Sequence, residues 1–378
     1  MNIGILTRRA GFNHGSSLQA YAMATFIRNL GHNVHILNYD EYFSHPLWKL
    51  RPLVENIQWR LYKTFPLLLK PFLRSKISYL KIRAAQYRRF KKFEKEFLPL
   101  TKYTLQTKQQ LFKESKKYDK LVCGSDQIWS PLLFDSNFMF DFMKEDMHKV
   151  VAYAPSIGVS DIKLIPEQEI NLMKKIDNIS CREENGAKII SELTGKDVPV
   201  VIDPTLMVAH EEWKKMASTS EIKIETPYIL CYFLGQNIPH VYLKLLRKKL
   251  NCKIVNIQMF NRLNMVESDI EISDIGPCDF LYLIDNATWI CTDSFHATIF
   301  SCQFKKRFNV FERFKPSDYR NQNSRIHTLV KILKIAQSLK TIDEITDISF
   351  KVDYNETELS LEKWRKTSEE YITKALMS

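Results

Sequence analysis

Short apolar runs that end in polar residues recur along this chain, and that recurrence leaves few folds open. Lys120–Cys123 leads into Gly124-Ser125-Asp126-Gln127, and Lys149–Tyr153 leads into Ala154-Pro155-Ser156. Ile179–Cys181 leads into Arg182-Glu183, and Val198–Ile202 into Asp203-Pro204-Thr205. Polar residues at the carboxyl ends of successive strands predict an open parallel α/β sheet with one shared crevice. The most informative instance is Thr288–Ser301. There a buried strand, Thr288 to Cys291, runs straight into a helix, and the turn between them presents Asp293, Ser294 and His296. Unpaired N–H groups and the dipole at a helix start both favour an anion.

The flanking segments keep the same rhythm. Asn2–Leu6 predicts a strand, and Thr7–Gly15 a loop carrying Asn13, His14 and Gly15. Ser16 or Ser17 is the expected helix cap. Leu18, Ala22, Phe26 and Leu30 recur at i, i+4, Gly31 ends that helix, and Val34–Tyr39 predicts the next strand. No G-x-G-x-x-G is present, so no dinucleotide site is read here. A second unit starts at Tyr228–Phe233 and continues through strands at Lys253–Ile257 and Arg307–Phe311. Helices are expected after Pro239 and Pro277, from Ser324 to Ala336, and from Leu359 to Leu376. A chain of 378 residues fits two ordinary domains. The expected fold class is therefore α/β, with two Rossmann-like domains facing across a cleft. The expected boundaries are 1–208 for the first domain, 209–340 for the second, and 341–378 for a tail and helix that pack back on the first as a brace.

Composition narrows the function classes. Hydrophobic content of 45% and charged content of 26% describe a globular protein. Seven cysteines without C-x-x-C spacing read as buried thiols, and no His/Asp/Glu cluster has metal spacing, so no metal is expected. The N-terminus passes directly into a strand pattern, and no run of about 18 apolar residues exists. The expected location is the cytoplasm. The net charge of +12 is concentrated: residues 45–100 carry 14 Lys or Arg against three acids. That basic helical insertion reads either as a solvated face or as a cationic, aromatic-bearing surface. The second reading would meet an anionic membrane at the inner face of the cytoplasmic membrane, or a lipid-diphosphate substrate. No recognisable nucleic-acid module surrounds the patch, so no nucleic-acid partner is expected.

Seven blocks in order resemble the polysaccharide pyruvyl transferase family. They are Asn13-His14-Gly15-Ser16-Ser17-Leu18-Gln19-Ala20-Tyr21-Ala22, Gly124-Ser125-Asp126-Gln127-Ile128-Trp129 and Tyr153-Ala154-Pro155-Ser156-Ile157-Gly158. Ser180-Cys181-Arg182-Glu183, Asp203-Pro204-Thr205-Leu206, Thr292-Asp293-Ser294-Phe295-His296 and Ser324-Arg325-Ile326 complete the set. Ala297 and Pro155 depart from the family's usual residues and remove no titratable group. The resemblance implies a GT-B-like fold, with the first domain on the acceptor side and the second on the donor side. It also implies transfer of a pyruvyl group from phosphoenolpyruvate to a sugar, bridging two hydroxyls as a cyclic ketal. The sugar would be lipid-linked or nucleotide-linked, in capsular or exopolysaccharide synthesis, with no cofactor beyond phosphoenolpyruvate as donor.

That chemistry needs cations for two anions, an acid, and a base for the hydroxyls. Arg182 can clamp a carboxylate or phosphate, although an ion pair with Glu183 or Glu184 is the structural alternative. His296 can bind the departing phosphate and supply a proton; the alternative is a histidine packed inside its turn. Ser294, Phe295 and the adjacent N–H groups complete the donor cradle, and Arg325 can reach the same anion. Asp293 reads as a helix cap. On the acceptor side stand Asn13, Gly15, Ser16, Ser125, Asp126 and Gln127, with Asp126 as the base and Asp203-Pro204 as a hinge. Two other functions compete: a nucleotide-sugar glycosyltransferase on the same fold, and a non-catalytic protein that docks on membranes through its insertion.

Overall fold

The computed structural model describes residues 1–9, 11–41, 70–258, 266–315, 317–318, 321–340, 348, 350 and 352–378, with the helix path alone at 70–81. Two parallel sheets carry the chain. The first holds β1 (Asn2–Leu6), β2 (Asn33–Ile36), β3 (Lys120–Cys123), β4 (Val150–Ala152) and β5 (Asn178–Ile179), in the order β2-β1-β3-β4-β5. The second holds β6 (Tyr228–Tyr232), β7 (Lys253–Ile257), β8 (Ile270–Ile272), β9 (Trp289–Thr292), β10 (Phe308–Phe311) and β11 (Leu339–Lys340), in the order β11-β10-β9-β6-β7-β8. In each sheet the order reverses once, between β1 and β3 and between β6 and β9. Loops diverge at such a reversal and leave a crevice beyond the strand ends. The site therefore has two predictable halves, one at each reversal.

Eleven α-helices accompany the sheets among the described residues. They are α1 (His14–Asn29), α2 (Lys70–Phe97), α3 (Lys108–Ser115), α4 (Glu167–Lys175), α5 (Glu184–Thr194) and α6 (His210–Ala217). Then follow α7 (His240–Leu250), α8 (Pro277–Asn286), α9 (Phe295–Gln303), α10 (Asn323–Ile332) and α11 (Tyr354–Met377). The cap of helix α1 stands three or four residues earlier than expected. Its cap is Asn13, whose side chain accepts the Ser16 N–H at 3.3 Å, and not Ser16 or Ser17. The expected strand at Val198–Ile202 is reduced to a single bridge between Cys181 and Val200. Pro199 cannot donate to a ladder, which confines the pairing to one residue.

The two sheets share a core. One apolar cluster runs from Ile3, Leu18 and Phe26 on the first side to Leu230, Phe280 and Phe300 on the second, with Leu361 and Ile372 of α11 joining it. Helix α11 ties the halves together by hydrogen bonds as well: Ser360 to the Ile332 carbonyl at 2.7 Å, the Ile202 N–H to Ser368 at 3.0 Å, and Tyr371 to the Ala152 carbonyl at 2.9 Å. Helix α2 corrects the picture of the basic insertion as an outward face. Along its second half, Glu94 accepts from Arg9 on the first side. Gln86 donates to the Ser273 carbonyl at 2.6 Å, and Arg89 and Lys92 pair with Asp279 and Glu221 at 3.1 and 3.2 Å on the second. Residues 45–69 of the expected insertion lie outside the described residues. Among the described residues, no helix is long and apolar enough to cross a membrane.

Candidate active site

The first half of the site is built at the β1/β3 reversal. Because Asn13 caps α1, the Ser16 hydroxyl is left to donate to Asp126. Asp126 follows β3 in a left-handed conformation, φ 66°, that aspartate tolerates better than most residues. Its carboxylate lies 3.6 Å from Arg182 Nη2. Burial would raise this carboxyl; Arg182, then His296 and the Ser16 hydroxyl, outweigh burial and hold it below its ordinary range. Ser125 is sealed beneath, donating to the Ala154 carbonyl at 2.8 Å and to Asp203 at 3.2 Å. It shapes the floor and does not reach the cleft. Gln127 reaches across to Gln322 at 2.9 Å, and Asn13 stays exposed at the rim.

The second half forms at the β6/β9 reversal. Asp293 is not the cap of α9. Its carboxylate accepts the Leu234 and Gly235 N–H groups at 2.7 and 2.6 Å, tying the end of β6 to the end of β9. It also lies 3.3 Å from Arg313, whose guanidinium donates to the Asp293 carbonyl at 2.9 Å. Ser294 is the cap, accepting the Ala297 N–H at 3.4 Å, so its oxygen faces its own helix. The Phe295 ring carries the Arg182 guanidinium at 4.1 Å, a cation–π support for that cation. His296 is buried, and its Nε2 is 3.7 Å from Asp203 without a hydrogen bond. Gly15 of α1 lies against the same ring, where a Cβ would overlap Nδ1. The Ala297 methyl enters the shared core instead of the space above the helix start.

Arg182 and Asp203 occupy the centre between these halves. Arg182 donates to Asp203 at 2.7 Å, which corrects the expected alternative of a pair with Glu183 or Glu184. Glu183 instead accepts from Ser156 at 2.9 Å and the Ile157 N–H at 3.0 Å, while Glu184 pairs with Lys331 at 2.5 Å. Burial alone would raise the Asp203 carboxyl. The adjacent His296 imidazole, with the Arg182 charge and the Thr205 hydroxyl, reverses that effect and holds it far below the usual carboxylate range. Asp203 is thus a fixed buried charge at the heart of the site and not only a hinge. Among the described residues, Arg182 Nε and Nη2, His296 Nε2 and Arg313 Nε are buried donors with no hydrogen-bond partner. Arg325 is buried too. Burial and its neighbours Arg182 and Arg313 push it down to about 9, and its side chain's partners are the Gln322 carbonyls, at 2.6 Å from the side chain and 3.4 Å from the backbone. Arg182 and the half-buried Arg313 thus keep spare donors, and Arg325 lies within charge range of both, a set suited to a small multiply charged anion.

The sequence profile described as polysaccharide pyruvyl transferase matches residues 13–313. The chain belongs to the polysaccharide pyruvyl transferase family. Every residue of the central cluster from Asn13 to Arg313 falls inside the matched stretch, and Gln322 and Arg325 follow it. Solved structures show the same two-sheet, GT-B-like fold. UDP-GlcNAc 2-epimerase from Methanocaldococcus jannaschii is 12% identical with a TM-score of 0.51, covering 96% of this chain and 92% of its own. The same enzyme in complex with UDP-GlcNAc and UDP is 13% identical with a TM-score of 0.50, covering 100% and 99%. A UDP-N-acetylglucosamine 2-epimerase, described as putative, from Listeria monocytogenes is 10% identical with a TM-score of 0.51, covering 99% and 90%. At these identities the likeness concerns the fold alone. No curated protein matches the chain.

In this family member the structure gathers Ser16, Asp126, Arg182, His296 and Arg325 around one space. Ser125, Ser294 and Phe295 stand behind them as framework. Sequence reasoning missed Arg313 and the central place of Asp203. Arg313 sits past β10 with no local pattern to mark it, whereas Asp203 already stood at a polar segment end like Asp126.

Proposed function

We propose that the protein transfers the pyruvyl group of phosphoenolpyruvate to two hydroxyls of one sugar, forming a cyclic ketal and releasing inorganic phosphate. The observation that carries this reading is a run of neighbouring cations: Arg325 within charge range of Arg182 and Arg313, and Arg182 and His296 both beside Asp203. A donor with a phosphate and a carboxylate on a single carbon supplies the two anions such a set can hold. His296 gives a proton to the methylene carbon, which becomes the methyl group of the product. Asp203, ionised and 3.7 Å from Nε2, stabilises the imidazolium. The cationic centre left at the enol carbon accepts the first sugar oxygen, whose proton passes to Asp126. The carbon–oxygen bond to phosphate then breaks, with the arginines holding the leaving anion; the second hydroxyl attacks the same carbon and closes the ketal, and its proton passes to the now neutral His296, while the phosphate takes the proton held by Asp126. Asp126 is firmly ionised by Arg182, so its use as a base rests on placement beside the hydroxyl more than on basicity.

On this reading the acceptor side is the β1/β3 reversal, with Asn13, Ser16, Asp126 and Gln127 around a saccharide carried on a diphosphate lipid or nucleotide. The surrounding process is capsule or exopolysaccharide assembly at the inner face of the cytoplasmic membrane. The test has two arms. Phosphoenolpyruvate should raise the melting temperature, whereas UDP- and GDP-sugars used as donors should not. Acceptor saccharides incubated with phosphoenolpyruvate should gain the mass of a pyruvyl ketal together with stoichiometric phosphate. Stabilisation by a nucleotide-sugar with none by phosphoenolpyruvate would return the protein to the glycosyltransferase reading.

A further inference from the structure

Arg325 differs from the other two arginines of the site. Arg182 is matched by Asp203 and Asp126, and Arg313 by Asp293. Among the described residues no carboxylate pairs with Arg325. Its guanidinium is buried against an uncharged amide, the Gln322 side-chain carbonyl at 2.6 Å. That same oxygen accepts from Gln127 Nε2 at 2.9 Å. One amide oxygen therefore holds a second-half arginine and a first-half glutamine at once. Gln322 immediately precedes α10, whereas Gln127 follows β3, so this bridge spans the two halves over the cluster. Gln127 has no slack in that position, because it packs over Gly158, where a Cβ would overlap its amide nitrogen.

A buried cation whose side-chain partner is a neutral oxygen is under-compensated, and an anionic oxygen is a stronger acceptor for the same donor. From this geometry we infer that Gln322 is a positioning residue whose amide oxygen holds the place of a donor oxygen on Arg325. The arriving anion displaces it, and its departure frees Gln127 for the acceptor. The device makes donor binding precede acceptor binding, since Gln127 is engaged across the cleft until the anion is in place. It rests on the donor reading above only for the identity of the anion.

The test is calorimetric titration of the full-length protein with phosphoenolpyruvate and, separately, inorganic phosphate. Gln322→Ala and Gln127→Ala each remove one side of the bridge that the anion must break. Each should tighten anion binding about two- to tenfold, the range of one exchanged hydrogen bond. The double variant should gain no more than Gln322→Ala alone. Gln322→Glu places a permanent anion on Arg325 and should weaken binding by at least about tenfold. Damage to the fold would loosen binding in every variant, so tightening is the distinguishing result. Unchanged or weaker binding in both alanine variants overturns the inference, as does failure of both anions to bind the wild-type protein. If inorganic phosphate shows the expected rank order and phosphoenolpyruvate does not bind, the placeholder stands and the donor assignment falls.

Discussion

Single residues in this site carry different loads, and the arginines show it. Arg182 sits between two buried carboxylates that its removal would strand, so Arg182→Met should cost about 3–5 kcal/mol of stability along with activity. Arg325 has no paired carboxylate to strand among the described residues and is itself disfavoured as a cation by burial and by Arg182 and Arg313. Arg325→Met should leave the melting temperature equal or higher while phosphoenolpyruvate affinity falls by at least about tenfold. Chemical denaturation beside ligand titration separates the two patterns; a large stability loss in Arg325→Met would show that the arginine is structural. Gly15 acts by what it lacks. Gly15→Ala pushes a methyl into the His296 ring, and should lower turnover about 100-fold at a stability cost of about 1–3 kcal/mol. These two positions also mark how legible the site was. Gly15, Asp126, Arg182 and His296 stand in local blocks whose residue types announce polar chemistry. Asp293 was misread because a cap and a brace look alike in sequence: both are an aspartate before a helix. Only the spatial approach of the Leu234-Gly235 loop decides between them, and that approach is set by the pairing of β6 with β9.

At the scale of elements, the longer apolar strands and helices α1, α7, α8, α9, α10 and α11 were legible, whereas helices α3, α4 and α6 and the short edge strands β8 and β11 were not. An edge strand of two or three residues has too few positions to show a period. The junction of α1 with α8 was also hidden, and His14 reveals it. Its ring stacks on Phe280 of α8 at 5.0 Å and lies 5.3 Å from Phe90 of α2, so one histidine joins three helices. Burial lowers it to about 4, against weaker upward pulls from the Ile275 carbonyl and Asp279. An unfolded histidine titrates near 6.5. Between pH 6.5 and 4 the unfolded chain binds this proton and the folded chain does not, so stability falls as the pH drops through that window. The loss reaches about 3 kcal/mol at the acid end. His14→Phe keeps the stack and removes the proton site. Urea denaturation at pH 7.0 and 4.5 should show a smaller acid-side loss in the variant than in the wild type, with the carboxylate contributions common to both.

For the whole molecule, the basic insertion decides how the two halves relate to each other and to any surface outside. Its charges divide into two sets along α2. Arg89 and Lys92 face Asp279 and Glu221, and Asp279 is also bound by Ser220 and the Gly276 N–H, so this set belongs to a hub that joins the halves. Arg88 and Lys95 are exposed and, among the described residues, make no ion pair, unlike the exposed Lys91 and Lys92, so they are the charges of this stretch most open to a lipid surface. If the insertion docks on anionic lipid, Arg88→Glu with Lys95→Glu should weaken binding to phosphatidylglycerol vesicles, roughly in proportion to about 1 kcal/mol per charge removed, and the residual binding should fall with salt. Arg89→Glu with Lys92→Glu should do something different. It places like charges against Asp279 and Glu221, so it should lower the melting temperature and donor affinity while vesicle binding changes less than in the first pair. Binding that ignores both pairs and ignores salt would leave α2 as a strut between the two sheets. The shared core and α11's hydrogen bonds to Ala152 and Ile202 already join the halves, and α2, paired with Arg9 on one and with Asp279 and Glu221 on the other, adds a second tie between them.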